Sequence, residues 1–190
     1  MLGVFGGSFD PPHRGHLAII KSFSAEYNCP IYVVPNYVSP FKEKKGAATF
    51  DIIKMLEILK KENNLEKMEI LDWEIKRGGK SFTCDTIDEV IKIFSETEIY
   101  LLIGEDNLSS LDRWKNIKYI LNKCKILVYL RPVSERVEIP LSIQEFSHKI
   151  IIKKNPENPA SSSMFREKSI EEYLTPSVLG YIKENHLYDN

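Results

Sequence analysis

The chain lacks the features that mark several large classes of protein. It has three cysteines, Cys29, Cys84 and Cys124, which stand far apart, so we expect no disulfide framework and no cysteine metal site. No run reaches the roughly 20 apolar residues that a membrane span needs, and the apolar stretch at residues 1–5 is too short for a signal peptide. We therefore expect a cytoplasmic protein with no membrane partner, in which the cysteines are small buried apolar groups.

An excess of charge of one sign is also missing. The 26 Lys and Arg residues nearly balance the 27 Asp and Glu residues, which gives a formal net charge of −1. Broad binding to nucleic acid needs a basic face, so we expect no nucleic-acid partner. A small phosphate site stays compatible with this balance, because one pocket needs only a few cations.

The chain does have enough apolar material for one domain. Its 190 residues, 43% of them hydrophobic, fall within the usual domain size, and neither a repeat nor a long linker divides them. We therefore predict a single domain over residues 1–190. The sequence leaves the oligomeric state open, and a homo-oligomer is one of the options.

Short apolar runs alternate with helical patterns along the chain. Runs typical of strands occupy residues 2–5, 31–34, 68–75, 99–103, 126–130 and 150–152. Apolar residues at helical spacing predict helices at residues 13–27, 52–59, 87–94 and, opened by Thr175-Pro176, 175–182. This alternation predicts an α/β fold: a doubly wound parallel sheet with helices on both faces and a C-terminal helical segment. Residues 131–148 are poorly patterned and are predicted to form a loop or a small lid.

The densest group of chemically active residue types follows the first predicted strand. It reads Gly6-Gly7-Ser8-Phe9-Asp10-Pro11-Pro12-His13-Arg14-Gly15-His16. Glycine lets backbone N–H groups approach a ligand closely. Histidines three residues apart in a first helical turn share a face near the positive end of the helix dipole. The segment therefore predicts a phosphate site that is neither the three-glycine dinucleotide motif nor a P-loop.

Two other interpretations of this segment stay open at this point. The glycines could form a plain turn beside two incidental histidines, one of them in the core. His13 and His16 could also bind a transition metal, but a zinc site needs three or four protein ligands, and Asp10 is the one other local candidate. The presence of two of the four histidines in one helical turn favours the phosphate site.

The segment resembles the HxGH signature of the nucleotidyltransferase superfamily. Within it, the chain resembles the bacterial nicotinate-nucleotide adenylyltransferases, and the resemblance covers nearly the whole chain. The other matching segments are Val34-Pro35-Asn36, Pro40-Phe41-Lys42, residues 77–86, Ile103-Gly104-Glu105-Asp106 with Trp114, residues 161–166, Tyr181-Ile182 and Leu187-Tyr188. The HxGH element marks only the superfamily, whereas Gly79-Lys80-Ser81-Phe82-Thr83-Cys84-Asp85-Thr86 and the spacing of Asp106 and Trp114 narrow it to the family. The resemblance implies a Rossmann-like form of the predicted sheet.

The same resemblance implies a reaction. ATP and nicotinate mononucleotide would give nicotinate adenine dinucleotide and pyrophosphate, a step of NAD biosynthesis, so these two nucleotides are the expected partners. Mg²⁺ is the expected cofactor, carried mainly on phosphate and water oxygens and not by a protein metal site. The attacking phosphate monoester has a second pKa of about 6 and is already ionised at neutral pH, so the reaction requires no general base.

The resemblance also implies roles for individual residues. The implied catalytic residues are His13, His16 and Arg166. The implied ATP ligands are Gly6, Gly7, Ser8, Phe9, Lys42, Ser162 and Ser163. The implied ligands of the mononucleotide are Thr83, Asp85, Thr86, Gly104, Asp106, Trp114 and Arg131. From the residues alone, the alternatives are a core position for Trp114, a helix cap for Asp106 and a simple cap for the serine run.

Some positions depart from the family pattern. Phe41 stands where the family often has histidine, Val133 stands where a glycine is expected after Arg131-Pro132, and Ser163 and Phe165 replace threonine and isoleucine.

Two rival functions stay open: an HxGH transferase with another acceptor, such as phosphopantetheine, and a nucleotide-binding regulator that has lost turnover. The segment Gly79-Lys80-Ser81-Phe82-Thr83, together with Trp114, argues against the first, and the intact His13, His16 and Arg166 argue against the second.

Overall fold

The computed structural model describes residues 1–38, 46–95, 98–131, 137–154, 162–168 and 170–189. The strands in this part of the chain are β1 Leu2–Gly7, β2 Ile31–Pro35, β3 Met68–Ile70, β4 Ile99–Gly104, β5 Cys124–Leu130 and β6 Ile150–Lys154. The α-helices are α1 Arg14–Tyr27, α2 Thr49–Glu62, α3 Trp73–Arg77, α4 Thr83–Phe94, α5 Ile117–Lys123, α6 Ser162–Lys168 and α7 Pro176–Glu184. Segments of 3₁₀ helix span Glu105–Arg113, Leu141–Lys149 and Glu171–Tyr173.

The six strands run parallel in one sheet with the order β3-β2-β1-β4-β5-β6. The direction of winding reverses between β1 and β4, which are neighbours in the sheet although they are far apart in sequence. This is the doubly wound Rossmann order, in which ligands bind beyond the carboxyl ends of the strands at the reversal. The predicted fold class is therefore confirmed.

Helices cover both faces of the sheet, and each face has its own apolar core. Successive residues of β1 alternate between the two cores, since Phe5 belongs to one and Val4 to the other. Helices α1, α2 and α7 pack on the first face, and α4 and α5 pack on the second. The first face is so close to α1 that a Cβ at Gly3 would lie 2.5 Å from Cε1 of Phe23, so this position requires glycine.

One predicted strand is shorter than expected. The alternating pattern over residues 68–75 predicted a single strand, but β3 ends at Ile70 and α3 begins at Trp73. The reason is the partner: β3 pairs with β2 alone, and the register of that pair stops at Val33 and Ile70. Beyond that point the chain enters α3, in which Glu74 is buried.

Other elements lie where the sequence pattern predicted none. Helix α5 and the 3₁₀ segment Glu105–Arg113 were not predicted. Within the stretch predicted as a loop or small lid, residues 132–136 lie outside the described residues, and Leu141–Lys149 forms 3₁₀ helix. In the described part of the chain, none of the helices has the length and apolar character to cross a membrane.

Candidate active site

The carboxyl ends of β1 and β4 form an open floor at the point where the sheet reverses. Gly6 is the residue before the last in β1 and is exposed, and Gly104 is the last residue of β4. A Cβ at either glycine would have no heavy atom within 4 Å, so the space beyond both backbones is open. The strand order places this opening where α/β sheets bind their ligands. The structure thus brings together two of the predicted site glycines.

His13 and His16 are held by each other at the start of α1. His13 is the N-cap residue, and its Nδ1 accepts from the backbone N–H of His16 at 3.3 Å, while Nδ1 of His16 accepts from the backbone N–H of His13 at 3.2 Å. The two rings stack with centroids 3.7 Å apart. Because both Nδ1 atoms act as acceptors, the proton of each neutral ring is on Nε2. The pair therefore carries its ring protons on Nε2 and lies at the positive end of a helix of 14 residues.

The ring of Phe9 packs against the ring of His16. Its backbone has a φ of 48°, and its buried ring meets the ring of His16 at a centroid distance of 4.8 Å and that of Phe5 at 5.3 Å. A Cβ at Gly7 would lie 3.1 Å from the Phe9 ring, which leaves little room for a side chain there. The Phe9 side chain thus belongs to the core, and only its backbone is placed to face a nucleotide.

Ser8 joins the motif segment to the end of β2. Its Oγ accepts from the side-chain amide of Asn36 at 3.5 Å, and the backbone N–H of Asn36 donates to the carbonyl of Gly7 at 2.9 Å. The residues beyond Val38 that include Phe41 and Lys42 lie outside the described residues. The prediction for Lys42 is therefore not addressed by this geometry.

The C-terminal predicted ligands also reach the motif segment. Ser162 Oγ donates to the carbonyl of Pro11 at 2.9 Å. Arg166 donates through Nη1 to the carbonyl of Asp10, and the same nitrogen lies 3.7 Å from Oδ2 of that residue. Ser163 lies next to Ser162 in the first turn of α6. Three residues predicted from a distant part of the sequence thus lie beside the histidine segment.

Two of the backbone N–H groups at the start of α4 are already engaged in hydrogen bonds within the chain. The N–H groups of Asp85 and Thr86 already donate to the carbonyl of Phe82, at 3.0 and 3.3 Å. The hydroxyl of Thr86, buried at 3% exposure, donates to the buried carboxylate of Glu74. The first two helical residues, Thr83 and Cys84, carry the N–H groups that have no acceptor within their helix. A ligand at this helix start would therefore meet Thr83 and Cys84.

Asp85 is paired with neighbours on the same edge. Its Oδ1 accepts from the Cys84 thiol and from Lys115 Nζ, each at 3.3 Å. Burial alone would raise the pKa of Asp85, but these two donors outweigh it and lower the pKa below its ordinary value. Burial, helped by the Asp85 carboxylate, raises the pKa of the Cys84 thiol, which stays protonated. Lys115 also lies 4.5 Å from the centroid of the Phe82 ring.

Asp106 and Arg131 meet beyond the ends of β4 and β5. The Arg131 guanidinium pairs with the Asp106 carboxylate, and the backbone N–H of Arg131 donates to Oε2 of Glu105 at 2.7 Å. The Asp106 side chain is 65% exposed and that of Arg131 is 37% exposed. The structure thus brings two predicted ligands of the mononucleotide into direct contact at the surface.

Trp114 ends the 3₁₀ segment that follows β4. The indole is half-buried and packs against the core of the second face. Its Nε1 is buried and, among the described atoms, has no hydrogen-bond partner. A buried donor without a partner costs about 1–3 kcal/mol. Trp114 therefore has the core contact that one alternative predicted. Its role as a ligand of the mononucleotide stays a prediction.

Several contributors to the site were missed by sequence reasoning. Asp10, Glu74, Lys115 and Tyr188 each bond to a predicted ligand or its neighbour. Asp10 stands inside the quoted motif, so its position was a usable signal. Lys115 directly follows Trp114. Glu74 had no signal, because a lone glutamate in an alternating pattern is typical of a surface position.

The residues around the histidines do not form a metal centre in the part of the chain that the structure describes. Within the described ranges, no cluster of three or more His, Cys, Asp or Glu side chains has the arrangement of a metal site. Asp10, the carboxylate nearest the histidines, already accepts from Gly46 N, Ala47 N and Tyr188 Oη. The nearest carboxylate is thus engaged in the fold, and this geometry does not favour a metal shared with His13 and His16.

Known proteins with similar sequences and structures support one family. The cytidylyltransferase-like family model matches residues 4–168. A protein of Leptospira interrogans named as a probable nicotinate-nucleotide adenylyltransferase is 36% identical over 99% of this chain and 96% of its own length. The nicotinate-nucleotide adenylyltransferase of Bacillus subtilis is 30% identical over 100% of this chain and 98% of its own length.

A solved structure extends the similarity to the fold. The Plasmodium falciparum nicotinic acid mononucleotide adenylyltransferase complexed with NaAD superposes with a TM-score of 0.78 at 20% identity, covering 99% of this chain and 97% of that one. The same protein complexed with APC gives a TM-score of 0.77. Together with the sequence matches over the full length, these findings confirm the predicted family. The chain belongs to the cytidylyltransferase-like family and, within it, to the nicotinate-nucleotide adenylyltransferases.

Proposed function

We propose that the chain transfers the adenylyl group of ATP to nicotinate mononucleotide, which yields nicotinate adenine dinucleotide and pyrophosphate. The observation that carries this proposal is the reciprocal cap of His13 and His16 at the start of α1, which follows β1 and its open end at Gly6, next to the open end of β4 at Gly104. The relatives from Leptospira and Bacillus support the choice of acceptor, because both carry this activity in their names.

The triphosphate of ATP would bind at the start of α1. The helix dipole and the two imidazole donors favour an anion there, and the backbone of residues 6–9 would line the nucleotide. Ser162, Ser163 and Arg166 would add hydroxyl groups and a guanidinium from the other side. Lys42 remains a proposed phosphate ligand on the strength of the motif.

The chemistry would be carried by position and charge, not by a base. The acceptor is a phosphate monoester that is ionised at neutral pH. One of its oxygens attacks the α-phosphorus of ATP, a new phosphorus–oxygen bond forms, and the bond to the bridging oxygen of the β-phosphate breaks. Pyrophosphate leaves with the electron pair. Donors fixed on the phosphates stabilise the charge that moves onto the leaving group.

Mg²⁺ would enter this site bound to ATP. The carboxylate nearest the histidines is Asp10, and its oxygens accept hydrogen bonds from two backbone N–H groups and a tyrosine. Mg²⁺ keeps several waters and commonly binds substrate phosphates. The ion would therefore sit on phosphate and water oxygens, where it supplies positive charge to the leaving pyrophosphate. A resident protein metal is not part of the proposal.

The pyridine nucleotide would occupy the other side of the floor. Thr83 and Cys84 would offer backbone N–H groups to the carboxylate of the pyridine ring, and Trp114 would offer a flat surface to the ring. Asp85 and Thr86 would shape this helix start through their pairs with Lys115 and Glu74. Replacing the carboxylate by an amide removes charge-assisted hydrogen bonds, so we expect nicotinate to be preferred over nicotinamide.

The pair at the ends of β4 and β5 would meet the sugar. Asp106 would accept from a ribose hydroxyl, Arg131 would hold Asp106 or meet the phosphate, and Gly104 would let the nucleotide approach the backbone. We also propose that residues 1–190 act as one domain in the cytoplasm.

Release of pyrophosphate is the direct test. Purified protein is given ATP, Mg²⁺ and, in separate reactions, nicotinate mononucleotide, nicotinamide mononucleotide or phosphopantetheine. The proposal requires release with the first acceptor, less release with the second and none with the third. Release with phosphopantetheine alone would assign the chain to another acceptor. Tight ATP binding without release for any acceptor would indicate a regulator.

A further inference from the structure

The buried carboxylate of Asp10 joins three parts of the chain. It accepts from the backbone N–H of Gly46 at 2.7 Å, from that of Ala47 at 3.0 Å and from Oη of Tyr188 at 2.7 Å. Arg166 contacts the same residue, since Nη1 donates to the Asp10 carbonyl and lies 3.7 Å from Oδ2. Asp10 is 3% exposed. Losing any one of these donors would leave charge in the interior with fewer partners.

Tyr188 is packed firmly into this arrangement. Its ring lies edge-on to Phe165 of α6 with centroids 5.8 Å apart. A Cβ at Gly46 would lie 2.7 Å from Cε1 of Tyr188, so the ring fills the space beside that backbone. Burial, together with the nearby Asp10 charge, raises the pKa of Tyr188 well above its ordinary value of 10.0. The hydroxyl therefore stays protonated and serves as a donor.

The contacts connect Tyr188 to the phosphate side of the site. Tyr188 and Ala47 share Oδ1 of Asp10, whereas Gly46 and Arg166 lie on Oδ2. Asp10 stands three residues before the N-cap histidine of α1. A change at Oδ1 thus reaches both the Arg166 guanidinium and the chain that enters α1.

We propose that Tyr188 is a positioning residue for ATP binding, because its hydroxyl fixes the Asp10 carboxylate against which the Arg166 guanidinium is placed. Tyr188 touches neither substrate nor the reacting atoms in this role. Without the hydroxyl, Asp10 would compensate by pairing more closely with Arg166, which would draw the cation away from phosphate. The inference rests on the proposed function, in which Arg166 is an ATP ligand.

Tyr188→Phe tests the inference, and Tyr181→Phe is its matched control. Tyr181 also donates to a carboxylate, Oδ1 of Asp51 at 2.9 Å, but it has no contact with Asp10. Both variants lose one hydroxyl from a half-buried ring near the end of the chain. We expect the KM for ATP to rise about tenfold in Tyr188→Phe, in keeping with loss of one hydrogen bond to a charged group. The KM for nicotinate mononucleotide should change less than about twofold, and Tyr181→Phe should leave both values unchanged.

A cycle with Arg166 separates positioning from general destabilisation. In an Arg166→Met background, which keeps much of the stem and removes the charge, adding Tyr188→Phe should raise the KM for ATP by less than about twofold more. A merely structural tyrosine would instead give the same factor in both backgrounds. The rise of the melting temperature on adding ATP gives a second readout that does not need turnover. That rise should be smaller in Tyr188→Phe than in Tyr181→Phe.

The outcomes keep the two proposals apart. Equal KM values for ATP in Tyr188→Phe and Tyr181→Phe, or equal effects of Tyr188→Phe with and without Arg166, would overturn the positioning role while wild-type turnover stands. Absence of wild-type turnover with nicotinate mononucleotide would overturn the proposed function. In that case the ATP-induced rise in melting temperature would still decide whether Tyr188 supports ATP binding.

Discussion

At the end of β1 the predicted ATP ligands are held by backbone hydrogen bonds in a buried segment, whereas at the ends of β4 and β5 the predicted pyridine ligands pair with one another near the surface. His13 is 7% exposed and is the N-cap residue of α1. Asp106, by contrast, has a side chain that is 65% exposed and pairs with Arg131. The groups of the first side are thus held within the fold, whereas the pair on the second side is exposed to solvent.

This difference predicts how the two sides respond to substitution. Groups that are fixed in advance favour electrostatic stabilisation, because they need no reorganisation during the reaction. Exposed pairs contribute little to stability, about 0–1 kcal/mol. Substitution of the two histidines should therefore act mainly on turnover, and changes on the β4 and β5 side should act on affinity for one substrate.

The largest effect is expected from His13→Asn. Asparagine is a good N-cap residue, so the helix start keeps an acceptor while the imidazole is lost. We expect kcat to fall about 100-fold or more, as for the loss of one fixed donor to a developing charge. The melting temperature should stay close to that of the wild type. Steady-state kinetics and thermal unfolding measure both quantities.

His148→Ala is the control for this prediction. His148 lies on the 3₁₀ segment Leu141–Lys149, outside the motif, and is exposed. It should retain full turnover. Near wild-type turnover in His13→Asn would remove the imidazole from the mechanism and leave it only a role as a cap.

A smaller effect is expected from Trp114→Ala. Ring stacking is worth about 0.5–1.5 kcal/mol beyond burial, which corresponds to as much as about a tenfold rise in the KM for nicotinate mononucleotide. The KM for ATP should change by less than about twofold. Trp73→Ala is the matched control, because Trp73 packs against the same core as Trp114. If both variants weaken the binding of the two substrates equally, Trp114 is a core residue and the proposed difference between the two sides is wrong.

The smallest effect is expected from Asp85→Asn. The pKa of Asp85 is lowered in the folded chain from its ordinary 3.8, so its charge adds stability above that value, and this stability is lost as the pH falls through the lowered pKa. At pH 7 the variant should melt at most about 4 °C lower. The difference should vanish in strongly acidic buffer. Glu145→Gln, which removes an exposed pair with Lys118, should show no comparable pH dependence.

Much of the fold was predictable because strands buried on both faces leave a clear pattern. β4 and β5 are continuous apolar runs, and their bounds agree with the prediction to within two residues. β3 could not be delimited in this way. Its length depends on where β2 stops offering a partner, and that limit lies in another part of the chain. The family could be predicted because its motifs are short and specific stretches of sequence. The similar known proteins confirm it.

The internal geometry of the site was less accessible. A capping box usually shows Ser or Thr with Glu or Gln three residues later, whereas here two histidines fill both positions. The contacts of Asp10 join residues that are 36 and 178 positions away, so no local pattern could show them. The predicted residues thus gather at one edge of the sheet, but the bonds that hold them depend on the packed chain.

The reciprocal cap of His13 and His16 also limits which charge state the rings can use. A second proton on either Nδ1 would turn an acceptor into a donor that faces another N–H. Positive charge would attract phosphate more strongly, yet it would open the first turn of α1. Ligand attraction and helix capping would therefore oppose each other at these two atoms, because the reciprocal cap holds only while both Nδ1 atoms act as acceptors.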